Sequence, residues 1–156
     1  MEHKFPLGQF ALRFPNDEVC LEEIRKYRFP EGIHCAKCKK TTRHYRISKR
    51  PVYACKFCRA QTSPLVGTIF EKTTTPLRLW FYALFLMTHT RANISTKTLQ
   101  RELGVTYKTA WRIYNNTLKL MKQNDADLLS NAQVRKWTFF NVIELKVVQK
   151  KLESPA

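Results

Sequence analysis

Four cysteines stand in two pairs, Cys35-Ala36-Lys37-Cys38 and Cys55-Lys56-Phe57-Cys58, with sixteen residues between the pairs. Two residues between thiolates let one tight turn aim both sulfurs at a single cation, and two such turns complete a tetrahedron at about 2.3 Å per metal–sulfur bond. The spacing is that of a zinc ribbon. Four thiolates close the coordination sphere and leave no position for an activated water, so the expected cofactor is one structural Zn2+ and not a catalytic ion. A redox pair or an iron–sulfur cluster uses the same residue type, but neither usually sits in so Lys/Arg-rich a hairpin without a surrounding α/β fold. His34 and His44 lie near enough in sequence to replace a thiolate, which is the less favoured arrangement. Cys20 falls outside the set. Spaced at i, i+4, i+7 with Ile24 and Tyr27, it reads as a buried core thiol on a helix opening at Asn16-Asp17-Glu18.

The segment around those cysteines is strongly basic. Of 156 residues, 28 are Lys or Arg and 12 are Asp or Glu, a formal charge of +16. Residues 1–31 are nearly neutral, with six acids and five bases, so the other 125 residues hold 23 bases and six acids. Residues 35–59 contain Lys37, Lys39, Lys40, Arg43, Arg46, Lys49, Arg50, Lys56 and Arg59 with no acid at all. Such a field concentrates a polyanion and releases its counterions on contact. Charge alone also suits a solvated basic surface, acidic lipid or ribosomal RNA. Other classes are excluded more firmly. The longest apolar run, residues 79–87, has nine residues, against about 20 for a membrane span. The N-terminus carries no apolar h-region, so the expectation is a protein of the reducing cytosol with free or metal-bound thiols.

Those residues need elements to position them. His44-Tyr45-Arg46-Ile47 reads as a strand, Ser48-Lys49-Arg50-Pro51 as a turn and Val52-Tyr53-Ala54 as the return strand. Thr75 can cap a helix with Pro76 at its first position, running over residues 77–88. That helix is apolar nearly all round, so it should lie inside a bundle or under another domain, and left uncovered it would drive self-association. A break follows at Arg91-Ala92-Asn93. Ser95 then caps a second helix reaching Leu103, with Leu99 and Leu103 inward, and Gly104 supplies the positive φ of a tight turn. Val105 plugs the corner, and Thr106 caps a third helix over residues 107–122 with Ala110, Ile113 and Leu118 on its buried side.

A helix, a glycine turn and a second helix make the bihelical DNA-binding unit, although a bare helical hairpin gives a similar pattern. If the last helix enters a major groove, Tyr107, Lys108 and Arg112 are placed to reach bases, since Arg and Lys pair with guanine O6 and N7. Thr106, Thr109, Asn115 and Asn116 could reach phosphates or adenine edges, and Arg46, Lys49 and Arg50 could hold phosphates from the ribbon. Trp111 and Tyr114 stay outside this set because aromatics at helical spacing are more often packing. The expected fold is α+β and mostly helical: a short N-terminal helix, a four-Cys zinc ribbon and a helix-turn-helix bundle. The segments are residues 1–32, 33–72, 73–124 and a divergent tail at 125–156.

With Gly67-Thr68-Ile69-Phe70-Glu71, Pro76-Leu77-Arg78-Leu79-Trp80-Phe81 and residues 101–112 following the ribbon in this order, the chain resembles the N-terminal half of bacterial zinc-ribbon insertion-sequence transposases, relatives of the Merlin elements. The resemblance covers roughly residues 8 to 130. It implies binding of double-stranded DNA at the element's terminal inverted repeats, with a full-length transposase or a second copy as further partners, no membrane, and a nucleoid-associated place in the cytoplasm. It also implies that cutting and joining belong to a ribonuclease-H-like domain whose acidic residues bind divalent metal. Ala36 stands where the family usually has Pro, and Lys39 where Gly is common. After Ser130 the family's first catalytic Asp is missing and only Glu144 and Glu153 remain, whereas two-metal chemistry needs several carboxylates around ions about 4 Å apart. Asp125 and Asp127 match no catalytic position. The expectation is therefore a truncated or frame-shifted DNA-reading half with no enzymatic activity of its own. Residues 137–148 are apolar on either period. A transcriptional regulator built from the same modules, or a ribbon contacting RNA or protein, are the competing readings.

Overall fold

The computed structural model describes residues 7–89 and 94–128, with side chains placed at residue 8, at 10–88 and at 94–119. The expected break at Arg91-Ala92-Asn93, the residues after 128 and the apolar stretch at 137–148 lie outside the described residues.

Two helices, not one, precede the ribbon: α1 (Leu7–Arg13) and α2 (Asp17–Arg28). Asn16 opens α2 as expected, its side-chain oxygen accepting the Val19 N–H at 3.0 Å. Cys20, Leu21 and Ile24 form the buried stripe of α2. The ribbon then consists of short antiparallel pieces. β1 (His34–Cys35) pairs with β2 (Lys40–Thr41), and a second sheet runs in the order β3 (His44–Arg46), β4 (Tyr53–Cys55), β5 (Gln61–Thr62). The β3–β4 hairpin is the one expected, with His44 opposite Cys55, Tyr45 opposite Ala54 and Arg46 opposite Tyr53. Ile47 N–H donates to Val52 O at 3.0 Å and closes the turn. Strand β5 adds a third member too short to stand out in the sequence.

The ribbon is fastened to α2 by polar contacts as well as by packing. Tyr53 is buried, and its hydroxyl donates to Glu22 at 2.8 Å. Arg46 pairs with Glu18 at 2.7 Å, and Arg28 donates to the carbonyls of Pro64 and Val66.

Helix α3 (Leu77–His89) is the centre of the core. Trp80, Phe81, Ala83, Leu84 and Phe85 are buried, and Leu79, Tyr82, Leu86 and Met87 pack half-buried on the same cluster. Phe10 of α1 meets Tyr82 and Phe85, Phe14 meets Phe81 edge-on at 5.1 Å, and Phe70 meets Trp80 edge-on at 5.6 Å. Much of the expected cover for α3 thus comes from this chain itself. The N-terminus of α3 also differs from expectation. The Thr75 hydroxyl accepts from Arg112 at 3.0 Å, while the Arg78 N–H is taken by the Asp17 carboxylate at 2.9 Å, across 61 positions of sequence.

Helices α4 (Thr96–Leu103) and α5 (Tyr107–Leu128) pack on α3 and on each other. Ser95 accepts the Thr98 N–H at 3.1 Å, and Gly104 ends α4 at φ 63° with its N–H on the Gln100 carbonyl. Thr106 accepts the Thr109 N–H at 3.3 Å and opens α5. Leu99, Leu103, Ala110 and Ile113 are buried, as expected. Helix α5 runs six residues beyond the expected end at 122, and Thr117, not Leu118, takes the buried position near it.

Candidate metal centre and nucleic-acid interface

The two knuckles are built alike. In the first, Lys39 N–H donates to Cys35 O at 2.8 Å, and in the second, Arg59 N–H donates to Cys55 O at 3.0 Å. Both turns end on a residue in the left-handed region, Lys39 at φ 59° and Arg59 at φ 57°. β1 and β4 deliver Cys35 and Cys55 from buried positions, and the turns bring Cys38 and Cys58 over them. All four Sγ atoms lie within 4.8 Å of one another. Cys35 Sγ is 3.4 Å from Cys58 Sγ, and Cys38 Sγ is 3.8 Å from Cys55 Sγ. A tetrahedron with bonds of about 2.3 Å has edges of about 3.8 Å, so the donor set fits a zinc ion. Among the described residues no other group of Cys, His, Asp and Glu converges in this way. Neither His34 nor His44 joins it, and His44 Nδ1 instead lies 2.8 Å from the Thr42 carbonyl oxygen.

Hydrogen bonds prepare the sulfurs for a cation. The Cys58 N–H first, then the Thr42 hydroxyl 3.1 Å away, hold the Cys55 thiol down to about 5. The Cys38 N–H likewise lowers Cys35. Cys38 is pushed up to about 12, chiefly by its hydrogen bond with Cys58. A bound cation displaces that proton, so metal affinity rises with pH through the neutral range. Cys20 stands apart from this chemistry. It is buried in α2, and burial is the main cause that pushes its thiol up to about 12.

A glycine would adopt the left-handed conformation of either knuckle without the steric cost that an L-residue carries there. An L-residue in that region carries a penalty of about 1–2 kcal/mol, part of which glycine returns through its greater freedom in the unfolded chain. Lys39→Gly is therefore expected to raise the stability of the zinc-loaded protein by up to about 1 kcal/mol, read as an increase in the urea midpoint at unchanged slope.

The second group of sequence-predicted residues lies on α5 and the turn before it. Tyr107 is 50% exposed, and Lys108 and Arg112 are exposed on the same helix. Thr106 and Thr109 bond each other at 3.0 Å within the cap. Arg112 rests on Thr75, and the Asn115 side chain donates to the Trp111 carbonyl at 2.8 Å. Asn116 is half-buried. Trp111 is 53% exposed, one turn on from Tyr107, whereas Tyr114 packs on the core. Helical spacing alone could not separate those two aromatics. On the ribbon, Lys49 and Arg50 are exposed at the hairpin tip, while Arg46 is turned toward Glu18 of α2. Two exposed rings went unnoticed in the sequence, Tyr45 and Phe57, with Arg43 and Lys40 over their respective faces.

Comparison with known proteins places the ribbon. Residues 15–61 match the family described as transposase zinc-ribbon domain. The chain is also 31% identical over 112 residues to an uncharacterized protein in transposable element ISH50 of Halobacterium salinarum. That match takes in 69% of this chain and 37% of the relative, so the chain spans well under half of the relative's length. No solved structure matches. Among the described residues no helix is long and apolar enough to cross a membrane.

Proposed function

From a chain that carries a transposase zinc-ribbon domain at residues 15–61, we infer a DNA-binding part of an insertion-sequence transposase that recognises the terminal inverted repeats of its element. The observation that carries this reading is the α4–Gly104–α5 unit, which leaves Tyr107, Lys108 and Arg112 outward at the start of α5. In this reading α5 enters the major groove and Arg112 and Lys108 take guanine edges. The ribbon, held rigid by one structural Zn2+, grips phosphates through Lys49, Arg50 and their neighbours without reading sequence. The work is done at the nucleoid, in the cytoplasm.

In this reading these 156 residues hold DNA. Beyond Ser130 they supply only Glu144 and Glu153, too few for a two-metal centre. Cleavage and joining, in this reading, belong to a separate acidic domain.

The test is binding of the zinc-loaded protein to duplexes carrying the terminal repeat or a scrambled sequence. Arg112→Ala is expected to cost about 1–3 kcal/mol on the repeat and to relax preference at one base pair. Thr75→Ala, which frees Arg112 from its protein contact, is the control and should retain that preference. Lys49→Ala should weaken both duplexes alike and lower the salt slope by about one. If Lys108→Ala and Arg112→Ala together leave repeat affinity unchanged, the groove-reading role of α5 is wrong.

A further inference from the structure

We propose that the two exposed rings of the ribbon, Tyr45 with Arg43 and Phe57 with Lys40, bind unpaired DNA bases. Side chains alternate across the β3–β4–β5 sheet. Tyr53 and Cys55 face the core and the metal centre, and Arg46, opposite Tyr53, turns to Glu18 of α2. Tyr45, opposite Ala54 and in line with Gln61, therefore stands on the other face, where it is 47% exposed. Phe57 stands in the second knuckle turn, which one backbone bond ties to the start of β3. Lys56 N–H donates to Arg43 O at 2.9 Å, and Phe57, the next residue, is 66% exposed. Each ring already carries a cation over it, the Arg43 guanidinium 5.4 Å from the Tyr45 centroid and the Lys40 ammonium 5.3 Å from that of Phe57.

A single exposed ring needs no explanation. Two rings, each paired with a cation, in a stretch of nine bases and no acid are a different matter. That charge selects a polyanion over a protein partner. Among polyanions, a duplex keeps its base faces inside its own stack, so full face-to-face stacking on an exposed ring is offered by bases that are unpaired. Stacking on aromatic side chains tolerates any base, while flanking cations follow the backbone. The site rests on the DNA-binding reading and extends it: α5 holds duplex and the ribbon takes a strand that has left it, as at an opened element end.

The experiment is fluorescence anisotropy of zinc-loaded protein with a labelled oligothymidylate and, in parallel, a terminal-repeat duplex at the same salt. Phe57→Ala and Tyr45→Ala are each expected to weaken the single strand about tenfold and to leave the duplex unchanged. Tyr45→Phe and Phe57→Tyr retain the ring and should bind the single strand like the parent. Zinc content, measured on every variant, shows that the ribbon is intact. Equal losses on both nucleic acids, no loss on the single strand, or tighter binding of oligouridylate than oligothymidylate would overturn the proposal. The duplex reading is judged separately, since its own signal is the Lys108→Ala and Arg112→Ala loss on the repeat.

Discussion

Exhaustive chelation of the zinc-loaded protein, or Cys55→Ser, is expected to unfold the ribbon and to take part of the helical core with it. The strands are two or three residues long, far too short to hold a sheet by themselves. Buried apolar side chains contributed by the ribbon are few, Ile33 and Tyr53 foremost. The metal must supply the rest. Structural zinc contributes on the order of 10 kcal/mol in small zinc domains, comparable with the whole stability of about 5–15 kcal/mol of an ordinary domain. Damage spreads because Ile33, Tyr53, Leu65 and Phe70 belong to the same cluster as Trp80 and Ile24. Tyr53 also holds Glu22, and Arg46 holds Glu18, so α2 loses its partners when the ribbon opens. The readouts are zinc content, far-ultraviolet circular dichroism and tryptophan fluorescence before and after chelation. Cys20→Ala is the control, since Cys20 is buried in α2 outside the cluster of four and its removal should leave zinc content intact. An unchanged spectrum and urea midpoint after complete zinc removal would refute this account of the ribbon.

Trp80→Ala is expected to destabilise the zinc-loaded protein by about 3–5 kcal/mol, measured as a fall in urea midpoint. Trp80 is 1% exposed, so its whole side chain becomes a cavity. Two further losses accompany the volume. The edge-on contact with Phe70 disappears, and the Thr73 hydroxyl loses the indole N–H that donates to it at 2.9 Å. Trp80→Phe keeps much of the ring and gives up the donor, so its cost should be clearly smaller. If both substitutions cost the same small amount, the centre of the core has been misplaced. Trp111→Ala marks the contrast: its ring is half in solvent, and surface changes usually stay within about 0.5 kcal/mol.

Much of this was legible in short stretches of chain. Two Cys-x2-Cys turns at this spacing point to a metal knuckle, because sulfur placement depends on a few adjacent dihedrals. Asn16, Ser95, Gly104 and Thr106 mark helix ends for the same reason: a cap is a bond between residues two to four apart. The apolar character of residues 77–88 also announced that this helix is buried. Its partners were not legible. That Phe10 and Phe14 cover α3, that Asp17 caps it and that Glu18 and Glu22 hold the ribbon are contacts across tens of positions. Trp111 and Tyr114 share a helix and a residue class, yet one faces water and the other the core.

By itself, then, the sequence determined the two cysteine knuckles, the helix ends and the basic character of the ribbon, since local geometry and composition decide those. Only the tertiary structure decided which surfaces α1, α2 and the ribbon cover, and hence which rings and cations remain outside. Periodicity says that a face is apolar, but the neighbour that buries it is chosen by the packing of the whole chain.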